Sequence, residues 1–161
     1  MDFTLKSAEI GGQLQPQHYT NGQGFKGKDQ SPQLSWEHAP GAAKSFAITI
    51  YDMDAPTGSG FWHWVVFNIP PNVTELPADA GKTEKHLLPE GAIQSHNDAG
   101  KPGYAGAAPP AGPAHRYVIT VYVLNKMLEL GNNATAAMVG GNLNANSIAK
   151  ASLLVYGQKS N

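Results

Sequence analysis

Two aspartates lie two residues apart in Tyr51-Asp52-Met53-Asp54-Ala55-Pro56. If extended backbone persists to Asp54, that spacing points both carboxylates to one side. A carboxylate pair can perform acid–base work, orient a histidine or ligate a metal. It can also be a turn whose aspartates accept from nearby backbone N–H groups, and Pro56 marks a turn. His63 follows inside Phe61-Trp62-His63-Trp64-Val65. A period of two groups His63 with Val65 and Phe67 on one strand face, opposite Trp62, Trp64 and Val66. A histidine in such an apolar strand needs a partner, because unsatisfied ring nitrogens are costly to bury. That partner is either a ligand or the protein's own backbone.

A third group is Ala108-Pro109-Pro110-Ala111-Gly112-Pro113-Ala114-His115-Arg116-Tyr117, a proline-rich loop delivered straight into a strand. His115 and Tyr117 share a face there, and Arg116 points away, free to pair with a carboxylate. Tyr104 adds a phenol upstream. Each piece is ordinary alone, the loop as a stiff connector and the histidine as a core residue. Two histidines, two aspartates and two tyrosines converging at strand ends would make a small polar pocket.

The elements that must position these groups are short apolar runs rich in β-branched and aromatic residues. Ser45–Asp52, Trp62–Ile69 and His115–Leu124 are the strongest, and their near-continuous hydrophobicity predicts burial on both faces. Phe3–Ser7, Leu34–Trp36 and Ser152–Gly157 are weaker strand candidates. One helix is predicted, over Ala134–Ala151, with Asn132 or Asn133 as N-cap and Ala134, Ala137, Met138, Gly141 and Ile148 available to line its inner side. Gly11–Ser31 and Pro70–Ala114 read as loops, the second too long for a mere connection.

The 161 residues suit a single domain spanning 1–161. Eighteen glycines and twelve prolines favour strands and loops over a bundle. A net charge of −1, with 14% charged residues, offers no field for nucleic acid or an anionic membrane. The absence of cysteine removes disulfides, thiol catalysis and thiolate metal sites. No run approaches the ~18 apolar residues of a membrane span, and the start lacks a signal-like apolar stretch. A cytoplasmic protein is expected, with a removed signal peptide the alternative.

The order Ser31-Pro32-x-Leu34-x-Trp36, Asp52-x-Asp54-Ala55-Pro56, His63-Trp64, Gly103-Tyr104-x-Gly106, Pro109-Pro110-x-Gly112 and His115-Arg116-Tyr117 resembles the phosphatidylethanolamine-binding protein family, in its bacterial Raf-kinase-inhibitor-like branch. That resemblance implies a mostly-β Greek-key fold: a large central antiparallel sheet, a small second sheet and one or two short C-terminal helices. It further implies a non-enzymatic binding protein, without cofactor, that takes a small anionic or phosphorylated group. The family pocket maps onto Asp52, Asp54, Pro56, His63, Ala108, Pro109, His115 and Tyr117, with Tyr104 beside it. In it His63, His115, Tyr117 and backbone amides near Pro109 would donate, and Asp52 would orient and charge a histidine. Met53 and Ala108 stand where relatives often carry Pro and Gly, and the added Cβ at 108 would narrow the pocket. A protein partner such as a kinase, and a homodimer, are further implications. The residues alone also permit a hydrolase or a metal site built from Asp52, Asp54, His63 and His115.

Overall fold

The computed structural model describes residues 1–160. Strands dominate, in the order β1 (Thr4–Lys6), β2 (Asn21–Gly22), β3 (Phe25–Lys26), β4 (Leu34–Glu37), β5 (Ser45–Asp52), β6 (Phe61–Ile69), β7 (Glu75–Leu76), β8 (Ile93–Gln94), β9 (His115–Leu124) and β10 (Ser147–Gly157). Among the described residues one α-helix, α1 (Ala136–Asn146), stands between the last two strands. The large sheet is antiparallel in the order β10-β9-β5-β6-β8. β5 and β6 are consecutive neighbours, and after a long excursion the chain returns as β9 on the other side of β5. This is the mostly-β architecture expected, with a small sheet β1-β4-β7 beside the large one.

The strong apolar runs are buried on both faces because each face of the large sheet is covered. Toward the small sheet, Ile48, Ile50, Trp64, Val66, Tyr117, Ile119 and Val121 pack with Leu5, Leu34, Trp36 and Leu76. Trp36 meets Phe46 edge-on at 5.4 Å. On the opposite face Ala47, Val65, Phe67 and Tyr122 pack against Ala136, Val139 and Leu143 of α1.

β6 departs from strict alternation. Ile50 opposes Trp64 but Tyr51 opposes Trp62, so His63 is an extra residue on β6, a bulge. The bulge reverses the faces beyond it: Trp62 packs with the α1-side cluster and against Tyr51 at 4.3 Å. His63 is turned toward Tyr117, 5.5 Å away between ring centroids, on the side of Trp64 and Val66. The expectation that His63 would share a face with Val65 and Phe67 is therefore corrected by the bulge.

The helix is shorter than the predicted 134–151. Thr135, rather than Asn132 or Asn133, caps it by accepting from the Met138 N–H, and Ala136, Val139 and Leu143 form its inner side. Met138 is exposed. From Ser147 the chain is strand, because Ala149, Ala151, Leu153 and Val155 alternate inward and pair along β9. The alanines there favour helix intrinsically, and sheet pairing overrides them. Gly11–Ser31 and Pro70–Ala114 contain β2, β3, β7, β8 and two short 3-10 turns.

Gly157 sits opposite His115 in the β9–β10 register. A Cβ there would lie 2.8 Å from a ring carbon of Tyr117 and 3.0 Å from Leu14. Gly157→Ala should therefore cost about 1–3 kcal/mol of stability, read as a lower urea midpoint. An unchanged midpoint would mean that Tyr117 is not tightly held.

Candidate functional site

Three neighbouring strands bring the chemistry-bearing residues to one end of one sheet face. Asp52 is the last residue of β5 and opposes Tyr117 on β9. His115 begins β9, two residues before Tyr117 and therefore on the same face. Its Nδ1 lies 2.7 Å from Oδ2 of Asp52. The carboxylate accepts, so Nδ1 carries the hydrogen and Nε2 is the ring's remaining polar atom. His63, aimed by the bulge, is fixed similarly: Nδ1–H donates to the carbonyl of Ala105 at 2.8 Å. Both inner nitrogens are held by the protein. Both rings border one cavity of about 790 Å³.

Beside His63 runs the loop from Tyr104 to Pro110, which also lines the cavity, and its backbone amides from Tyr104 to Ala107 are all engaged. The Tyr104 N–H donates to Gly81, that of Ala105 to His63 and that of Ala107 to His18, all to carbonyls. The Gly106 N–H donates to Asp29 Oδ1. Asp29 also accepts from the Asn21 N–H through its other oxygen, tying the β2–β3 hairpin to the loop. Gly106 is required by close approach, since a Cβ would lie 2.5 Å from both Asp29 Oδ1 and the Thr20 nitrogen. Nothing in the local sequence marked Asp29 as part of this site, because its role is to join segments 77 residues apart.

Among the predicted site residues, Asp52, Pro56, His63, Tyr104, Ala108, Pro109 and His115 border the cavity, and Asp54 and Tyr117 do not. β5 ends at Asp52, so extended geometry does not reach Asp54. Asp54 instead accepts from the Arg116 backbone N–H and from its guanidinium at 2.7 and 2.9 Å, while its own N–H donates to Asp52 Oδ1. The free arginine and the turn-forming aspartates expected from sequence thus meet each other. Tyr117 is buried behind His63, its hydroxyl without a hydrogen-bond partner. The Tyr104 hydroxyl donates inward to the His18 carbonyl at 2.7 Å. Amides at Pro109 and Pro110 cannot donate, since proline has no N–H.

Burial sets the electrostatics. It draws His63 below the ordinary imidazole range, against the opposing pull of the Ala105 carbonyl and the charges of Asp52 and Asp98. Buried His18 is lowered for the same reason, despite Glu9. Burial and then the charge of Asp52 push the Tyr117 phenol up. Arg116 holds Asp54 well below the usual carboxylate range. The cavity border carries Lys82 and Lys101 against Asp29, Asp52 and Glu84, so fixed cations are not in excess. Lys82 is moreover bound to Asp79 at 2.7 Å. Among the described residues no three His, Asp or Glu side chains are grouped to hold a metal. No helix among them is long and apolar enough to cross a membrane.

A mostly-β protein with a loop-walled cavity at the end of its main sheet is the class this geometry defines. A model of the phosphatidylethanolamine-binding protein family matches residues 4–157. The chain is 47% identical over 155 residues to YbcL of Escherichia coli K12, covering 94% of this chain and 85% of that protein. It is 45% identical over 144 residues to YbhB of the same organism, covering 89% and 90%. The crystal structure of YbcL, described as a new member of the mammalian PEBP family, matches with a TM-score of 0.95 at 44% identity over 99% of this chain and 100% of that one. The chain belongs to the phosphatidylethanolamine-binding protein family.

The depressed histidines have a consequence for stability. Between their lowered folded values and the unfolded value of ~6.5, the unfolded chain binds more protons than the folded one. Stability therefore falls as pH drops through ~6.5, and the thermal midpoint should decline between pH 7.5 and pH 5.5. A midpoint that is flat or rises on acidification across that window would contradict the burial of these rings.

Proposed function

We propose that this protein is a non-enzymatic binding module whose cavity takes a small anionic or phosphorylated group. The observation that carries the reading is the matched pair of imidazoles: His63 and His115 come from different strands, each has Nδ1 tied inward, and each borders the same cavity. Nε2 of each ring is then the atom available to a ligand, with Asp52 as counter-charge when His115 is protonated. Pro56, Tyr104, Ala108 and Pro109 shape the walls, and Asp54 and Tyr117 support from behind. The hydrolase and metal alternatives both call on Asp54, whose carboxylate is engaged by Arg116. Control of a protein partner through occupancy of the cavity is the biological output this reading favours, a kinase being the partner suggested by the family resemblance.

Asparagine retains an amide N–H near the position of imidazole Nδ1 and removes Nε2. In calorimetric titration with phosphorylethanolamine, the double substitution His63→Asn/His115→Asn should weaken binding at least tenfold, with the near-ultraviolet spectrum of the fold retained. Equal affinity in the folded double variant would refute the pocket assignment.

A further inference from the structure

The balance of donors and acceptors around the cavity specifies more than the presence of an anion. The amides of Tyr104, Ala105, Gly106 and Ala107 all donate within the protein, and Pro109 and Pro110 have none to give. The Tyr104 hydroxyl is turned inward and Tyr117 lies behind the cavity wall. Along the loop from 104 to 110 this leaves the Ala108 amide as the donor without a partner among the described residues, alongside the two imidazoles.

The imidazoles are not equivalent. His115 faces the carboxylate of Asp52, so a protonated ring has an adjacent counter-charge and offers Nε2–H outward. His63 has a neutral carbonyl at Nδ1 and is drawn toward its uncharged form by burial. In that form Nε2 holds a lone pair and accepts. The charged and titratable groups facing His63 are Asp52 on β5, His115 and Tyr117 on β9, and Asp98 in the segment after β8. An anion with no proton would set an oxygen lone pair against that of His63. One with a single O–H satisfies it.

We infer that the cavity takes its anion singly protonated, as a phosphomonoester monoanion, with the ligand P–OH donating to Nε2 of His63 and its other oxygens accepting from Nε2–H of His115. This rests on the anion reading proposed above and narrows it to a protonation state. The scarcity of fixed cations points the same way. Asp29, Asp52 and Glu84 border the cavity against Lys101 and Lys82, the latter bound to Asp79, so a second negative charge on the ligand would meet no surplus of fixed cations.

Methyl phosphate and methyl sulfate test this directly. At pH 5.5 the two are singly charged and of the same shape, and only the phosphate ester carries a proton, its second pKa being about 6. Calorimetry should show methyl phosphate binding at least tenfold more tightly than methyl sulfate at pH 5.5. The ratio of the two affinities cancels every protein proton that both complexes share and, with His63 uncharged in each, should fall toward tenfold per pH unit above about 6.5 as the monoanion is lost. His63→Asn, which removes the acceptor, should bring the ratio at pH 5.5 close to one. The wild-type ratio decides the matter even if that variant does not fold. Methyl sulfate binding as tightly as methyl phosphate, or a ratio that stays flat from pH 5.5 to 8, would overturn the inference and leave the anion cavity standing. Failure of both esters to bind at any pH would overturn the inference and the anion cavity together.

Discussion

His63 reaches the cavity because β6 carries one residue more than β5 opposite it. Without that bulge the imidazole would face α1 with Val65 and Phe67, and the Asp52–His115 pair would stand alone. A second slip lies further along, where Phe46 opposes Ile69 and Ile48 opposes Val66, with Asn68 in the left-handed region at φ 58°. Asn68 secures that irregularity by exchanging hydrogen bonds with the Leu128 backbone at 2.9 and 2.7 Å. β6 is thus a strand whose middle obeys the pleat and whose two ends are re-aimed, one into the core between the sheets and one into the site.

The site is also constrained from outside the sheet. His18, Asp29 and Gly81 each receive a hydrogen bond from the loop that starts at Tyr104, so the N-terminal segment and the stretch before β8 hold the cavity wall in place. His18 is itself fixed, its Nδ1 accepting from the Gln15 N–H at 2.9 Å within a short turn. Once the amides from Tyr104 to Ala107 are engaged in this way, recognition falls on the two outward ring nitrogens and the Ala108 amide. Rigidity of the wall and economy of donors are consequences of the same hydrogen bonds.

The large sheet was legible in the sequence because Ser45–Asp52, Trp62–Ile69 and His115–Leu124 are too apolar and too β-branched to be anything but buried strands. The pairing of His115 with Tyr117 on one face was equally accessible, since β9 is regular. The orientation of His63 was not. A bulge is a property of two strands in register, and a single strand's alternation carries no trace of it. Asp54 misled for a related reason: spacing aligns it with Asp52 only while the strand lasts, and the chain turns one residue too soon. β10 was half visible, Ser152–Gly157 reading as strand while the alanines up to Ala151 read as helix. Asp29 was invisible, for its partners come together only when the loops close.

Long-range 1H–15N correlation spectra of the histidine rings probe the central claim, that two imidazoles with Nδ1 held inward turn Nε2 toward a common ligand. At neutral pH His63 should appear as the Nδ1–H tautomer, and titration with inorganic phosphate should move the Nε2 resonances of His63 and His115 together along one saturation curve. An Nε2–H tautomer for His63, or phosphate binding that leaves either Nε2 unmoved, would contradict the account.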